Sequence, residues 1–139
     1  MTSHPISLDT DQLGAVVAFA GVLGIRVTEA TPARVRLDLD WREELCTAGG
    51  MLHGGALMSL ADTAGAVCAY LNLPEGGSGT TTIGSSTNLL AAVRAGTVTA
   101  TTTPLHTGGS LIVAETELRD GEDRLVAKTI QTQAVLRAG

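Results

Sequence analysis

In the stretch Met51-Leu52-His53-Gly54-Gly55-Ala56-Leu57-Met58-Ser59-Leu60-Ala61-Asp62-Thr63, one histidine, two glycines and one carboxylate stand among mostly apolar residues. If a helix begins at Gly54, its first backbone N–H groups have no intrahelical acceptor and its dipole end is positive. With no Cβ at Gly54 or Gly55, a carbonyl oxygen can come close to those N–H groups. The stretch therefore describes an oxyanion site as well as it describes a helix start. Asp62 follows about two turns later on an otherwise apolar helix, where a carboxylate costs stability unless it is hydrogen-bonded or used. Such a carboxylate can attack a thioester directly or activate water, and the residues leave both routes open. The structural alternative is a buried carboxylate satisfied by Ser59, Thr63 or a partner chain.

Spacing adds a constraint on the assembly. From Gly54 to Asp62 is roughly 12 Å along a helix at about 1.5 Å per residue, too far for both to grip one carbonyl within a single subunit. If both act on one substrate, two helices must lie antiparallel, with Gly54 of one facing Asp62 of the other. This predicts an obligate dimer with two equivalent sites across a two-fold axis.

The elements that would position these groups can be read from periodicity. Residues Asp11 to Leu23 have helical apolar spacing, with Gly24 as the stop. Val35, Leu37 and Leu39 alternate with Arg34, Arg36 and Asp38, a strand pattern, and Thr31-Pro32 turns one strand into the next. Trp41 to Met51 reads as a loop. Gly54 to Leu73 reads as the one long helix, apolar almost all the way round and so expected inside the molecule. Thr80 to Leu90, Arg94 to Pro104, Leu111 to Arg119 and Arg124 to Leu136 are strand-like, separated by turn signals at Gly96, Gly108-Gly109 and Asp120-Gly121. Pro104 lacks a ladder donor and marks an edge or a bulge. The order gives an α+β fold: an antiparallel sheet of five to six strands curled around one central helix, with a short N-terminal helix.

A chain of 139 residues holds one core, so residues 1–139 are read as one domain, with 1–10 expected to be flexible. A net charge of −5 opposes non-specific binding to nucleic acid, and no basic helix is present. An anionic ligand remains compatible, because a few arginines and a helix N-terminus can hold phosphates. Cys46 and Cys68 lack metal-ligand spacing, and with His4, His53 and His106 they form no recognised ligand set, so no metal is expected. His4 is expected to be disordered and His106 to be a solvated loop residue. Free thiols, the lack of a secretory signal and an Asp62-interrupted apolar stretch imply a cytoplasmic protein with no membrane partner.

The chain resembles the hotdog-fold acyl-CoA thioesterases of the phenylacetate-degradation (PaaI) type. The likeness rests on His53-Gly54-Gly55 at the start of the central helix and an acidic residue nine positions after the histidine, Asp62. It extends through TTTIGSSTNLLAAVRAGTVTATT and LIVAETELRDGEDRLVAKTIQTQAVL. The resemblance implies that the Gly54 N–H, helped by His53, polarises a thioester carbonyl, while Asp62 of the opposite subunit serves as nucleophile or base. It implies assistance from Thr82 on the following strand and a dimer of dimers, hence a homotetramer. The substrate would be phenylacetyl-CoA or a medium-chain acyl-CoA, with coenzyme A part of the substrate and no cofactor. Gly55 and Arg94 are candidate substrate-binding residues. The chain departs from the pattern at Thr47, where relatives carry Asn or Gln. It also lacks a proline at Leu90-Ala91-Ala92 and a basic residue in Gly108-Gly109-Ser110, so phosphate binding falls to Arg94 or to backbone N–H groups. A hotdog dehydratase or hydratase, and an acyl-CoA-binding module without turnover, are the alternative functions.

Overall fold

The computed structural model describes residues 8–139. The chain opens with α1 (Thr10–Val16) and α2 (Ala18–Leu23), then β1 (Arg26–Ala30) and β2 (Val35–Asp40). After a short 3-10 turn at Glu43–Leu45 comes α3 (Gly54–Leu71), followed by β3 (Gly79–Leu89), β4 (Thr97–Thr107), β5 (Leu111–Arg119) and β6 (Leu125–Leu136). The six strands form one sheet in the order β1-β2-β4-β5-β6-β3, with every neighbouring pair antiparallel. The sheet wraps α3, which packs on β2, β3, β4, β5 and β6. This is the antiparallel sheet around one central helix expected from the order of elements, and the hotdog arrangement that the resemblance implies.

The inner face follows from two-residue alternation. Val35, Leu37 and Leu39 on β2 and Val98 and Ala100 on β4 are fully buried, as are Ala114 and Leu118 on β5. They meet Leu60, Ala61, Ala64 and Cys68 of α3, also fully buried. With so few aromatic residues the core is aliphatic, and truncating a side chain such as Leu60 to alanine should cost about 2–5 kcal/mol. Pro104 lies beyond the last β2 partner, Thr102, and beside a register shift between Pro104 and His106, so the sheet loses no ladder bond to it.

Three expectations need correction. The single helix over 11–23 is two helices broken at Val17, which takes φ −114° and ψ 89°. The break lets Gly14 lie against Gly21, where a Cβ on either would sit 3.9 Å from the other's Cα. The expected flexible segment 1–10 overlaps the start of α1, where Asp9 is the N-cap: its side chain accepts from the Gln12 N–H while Gln12 Oε1 accepts from the Asp9 N–H. The remainder of that expectation, and His4 with it, falls outside the described residues. His106 lies on β4, exposed, instead of in a loop. Finally, α3 is not enclosed on all sides: Met58, Asp62 and Tyr70 are exposed along one face, because a single sheet covers only the other.

Candidate functional site

The helix start is built as an N-terminal trap. His53 is the N-cap of α3, and its Nδ1 accepts the Gly55 N–H at 2.8 Å. A Cβ on Gly55 would lie 2.9 Å from that same Nδ1, so glycine is what lets the ring fold back on the helix. A neutral imidazole accepting at Nδ1 carries its proton on Nε2, leaving an N–H donor facing away from the helix. Because the His53 ring takes the Gly55 N–H, the Gly54 N–H is the one left without an acceptor among the described residues.

The loop before the helix is held from several sides. The His53 N–H donates to Leu45 O at 2.8 Å and the Leu52 N–H to Val93 O at 2.9 Å. Gly49 and Gly50 both take left-handed φ, 84° and 75°, which turns their carbonyls outward to the Arg94 guanidinium (2.8 Å) and the Trp41 indole N–H (3.0 Å). Arg94 therefore supports the loop that carries His53. It has no carboxylate partner among the described residues and lines a cleft shared with Asp120, Glu122 and Arg124. Thr47 is exposed, its N–H bonded to Met51 O, and its hydroxyl has no hydrogen-bond partner among the described residues.

Asp62 projects from the open face of α3 and is exposed, against the expectation of a buried carboxylate. Neither Ser59 nor Thr63 satisfies it: their hydroxyls bond the helix carbonyls of Gly55 and Ser59 at 2.7 and 2.8 Å. Its partner is Thr82 on β3, whose hydroxyl donates to Asp62 Oδ1 at 3.4 Å. Thr82 in turn accepts from Gln133 Nε2 at 2.5 Å, and Gln131 Nε2 stands 3.5 Å from the Asp62 carbonyl. Both glutamines are 1% exposed, and Gln131 Oε1 is buried without a partner. Neither was recognised as a site residue from the sequence. The signal was there in Gln131-Thr132-Gln133, two amides on one face of a strand otherwise built to face an aliphatic core.

Gly54 and His53 thus stand at one end of the exposed face of α3 and Asp62 in its middle, with Thr82 beside it. A groove of about 250 Å³ opens at the histidine end, lined by Phe19, Leu23, Leu45, Cys46, Ala56 and Ser59, with Glu44 also contributing. Its walls are mostly apolar, and His53 and Gly55 border it.

The thioesterase superfamily model matches residues 49–127, the span from the loop before His53 into β6. A provisionally named esterase of Vibrio cholerae is 40% identical over 136 residues, covering 98% of this chain and 90% of that protein. The 1,4-dihydroxy-2-naphthoyl-CoA hydrolase of Escherichia coli is 34% identical over 87 residues, 63% of each chain. Among solved structures, a thioesterase from Haemophilus influenzae superposes with a TM-score of 0.86 at 25% identity, covering 96% of this chain and 94% of that one.

Proposed function

We propose that this chain, which belongs to the thioesterase superfamily, hydrolyses acyl-CoA thioesters at a site shared between two subunits. The observation that carries the reading is that one open helix carries both a Gly54 N–H without an acceptor among the described residues, at the positive end of α3, and the exposed carboxylate of Asp62. The Gly54 N–H, helped by the His53 Nε2–H, stabilises the negative charge that builds on the thioester oxygen. Asp62 of the other subunit either attacks the carbonyl carbon, giving an acyl anhydride that water then opens, or takes a proton from the attacking water. In both routes the C–S bond breaks, the acid is released, and the proton from water goes to the sulfur so that CoA leaves as the thiol. Thr82 holds Asp62 by one oxygen, leaving Oδ2 for the reaction. Thr47 lies on the loop before His53 and is the residue assigned to water, in place of the amide of relatives.

A dimer is supported by the β3 edge. Among the described residues this strand of 11 residues pairs only with β6, and it exposes Ile83 and Leu89. A long bare edge with apolar side chains invites pairing with another strand. A second copy joined edge to edge at β3 across a two-fold axis would bring the two α3 helices together antiparallel. Leu111, Ile130 and Leu136, exposed on the outer sheet face, offer a further contact for a homotetramer.

For the acyl group, the apolar groove beside His53 favours an uncharged aryl-acetyl or medium-chain tail, with Glu44 opposing an anionic one. The hydrolase of naphthoyl-CoA among the relatives is in keeping with an aryl substrate. Arg94, a cation without a carboxylate partner among the described residues, is assigned to the phosphates of CoA. The setting for such chemistry is the cytoplasm.

The test is turnover of a panel of acyl-CoAs, varied in chain length and aromaticity, by the wild type and by Asp62→Asn. Hydrolysis by the wild type with a loss of about 10²-fold or more in the variant supports the reading. Undiminished hydrolysis by the variant sinks it, and tight binding without turnover by the wild type points instead to a binding module.

A further inference from the structure

β6, a strand that carries none of the residues assigned to the reaction, comes to Asp62 in two ways: Gln131 Nε2 stands near its backbone carbonyl, and Gln133 bonds the Thr82 hydroxyl that holds its side chain. We propose that Gln133 is a positioning residue for Asp62, acting through the Thr82 hydroxyl to select which carboxylate oxygen faces the substrate; this rests on the hydrolase reading above.

A threonine hydroxyl has one proton to give and can accept two hydrogen bonds, whereas an ionised carboxylate can only accept. Between Gln133 and Asp62, Thr82 must therefore give its proton to one neighbour and accept from the other. If Gln133 presented its Oε1, it would take the threonine proton and Asp62 would be left without a donor. With Nε2 donating to Thr82, the proton is directed to Asp62 Oδ1, as the geometry has it. Gln133 is directly opposite Thr82 in the β3–β6 ladder, so the backbone holds the amide and the hydroxyl together.

The ladder shifts register immediately after this pair, between Thr82 and Gly84. Only past the shift does Ser85 come opposite Gln131. An irregularity at that place sets the direction of the Thr82 side chain independently of the rest of the strand. Gln131 secures the same helical turn from below, with its Nε2 near the Asp62 carbonyl. A Cβ on Gly65 would overlap the Gln131 amide, so α3 carries a glycine where that side chain enters. A fully buried amide in an aliphatic core is costly unless it is hydrogen-bonded, and the bond Gln133 makes is the one to Thr82.

Gln133→Met keeps length and bulk and removes the hydrogen bond. The experiment is a double-mutant cycle of Gln133→Met and Thr82→Val in the full-length protein. It is read by kcat and KM on the best acyl-CoA and by the ¹³C resonance of the Asp62 carboxyl, identified with Asp62→Asn. Each single variant should lower kcat about tenfold with KM within about twofold, and the double variant should fall no further than Thr82→Val alone. The Asp62 resonance should move in Gln133→Met and should move no further when that change is added to Thr82→Val. An unchanged kcat and resonance in Gln133→Met, or losses that add fully, would overturn the proposal. If the wild type hydrolyses no acyl-CoA, the hydrolase reading fails by itself, and the carboxyl resonance still decides whether Gln133 acts on Asp62. Should Gln133→Met not fold, Gln133→Leu must give the same pattern.

Discussion

Thr82 on the edge strand gives its hydroxyl proton to Oδ1 of Asp62 on the central helix, 3.4 Å away, and so ties the one carboxylate of that helix to the strand at the sheet's margin. The acid and the bare strand edge therefore belong to one side of the molecule. Whatever covers the edge also comes over the acid.

This relationship predicts that disturbing the edge disturbs the chemistry. Ile83, 61% exposed beside the β3 register shift, should tolerate a charge in the isolated chain but not at a two-fold strand contact. Ile83→Lys should shift the protein to monomer in sedimentation experiments and lower kcat/KM by about 10²-fold while far-ultraviolet circular dichroism stays native. A dimer of unchanged strength would remove β3 from the interface.

Phe19 should govern acyl selectivity, because it walls the groove beside His53 and is the chain's only phenylalanine. Phe19→Trp should narrow the groove and lower kcat/KM for long acyl chains more than for short ones, by about tenfold or more. Equal loss for all chain lengths would show that the acyl tail goes elsewhere.

Gly65→Ala tests the packing under the site. The added methyl meets the Gln131 amide, which has no room to withdraw in a filled core, so stability should fall by about 1–3 kcal/mol. Urea unfolding would reveal this as a lower midpoint with an unchanged slope.

The two thiols should behave differently. Cys68 is fully buried, and burial pushes its thiol up to about 11, against a hydrogen bond from Asn72 that acts in the other direction. At pH 8 a thiol reagent should find Cys68 only after denaturation. An unfolded chain ionises this thiol at a lower pH than the folded one. Cys68 therefore costs the fold nothing below the ordinary thiol range, and its contribution to stability is lost as pH rises through that range toward 11. Rapid labelling of Cys68 in the native protein would contradict its placement.

The strands and the central helix were legible because their periods are clean: Val35, Leu37 and Leu39 alternate, and Gly54 opens an apolar run read to Leu73, where the helix itself ends at Leu71 with Asn72 as its cap. The helix start was legible because the apolar run begins at two glycines, whose missing Cβ leaves the first N–H groups of the helix uncovered. What the sequence hid depends on tertiary contact. Val17 breaks a helix whose apolar spacing is continuous, because Gly14 and Gly21 gain by meeting. Asp62 sits among apolar neighbours and so reads as buried, yet those neighbours are covered by the sheet on the opposite face. Gln131 and Gln133 look like ordinary polar strand residues until the register sets Gln133 across from Thr82.

Complementation between two inactive variants tests the shared site most directly. Gly54→Pro removes the N–H at the first helical position. His53 already has the extended backbone, φ −62° and ψ 137°, that a residue before proline adopts, and the proline ring needs only the end of the exposed Leu89 side chain to move, whose Cδ1 lies 2.5 Å from where a Cβ would stand. Alone, Gly54→Pro and Asp62→Asn should each lose about 10²-fold or more in kcat. Co-expressed in equal amounts, they should recover about a quarter of wild-type activity, because half the dimers are mixed and each mixed dimer holds one intact site. Activity no higher than that of the separate variants would mean that Gly54 and Asp62 of different subunits do not serve one thioester, and the shared-site mechanism would be wrong.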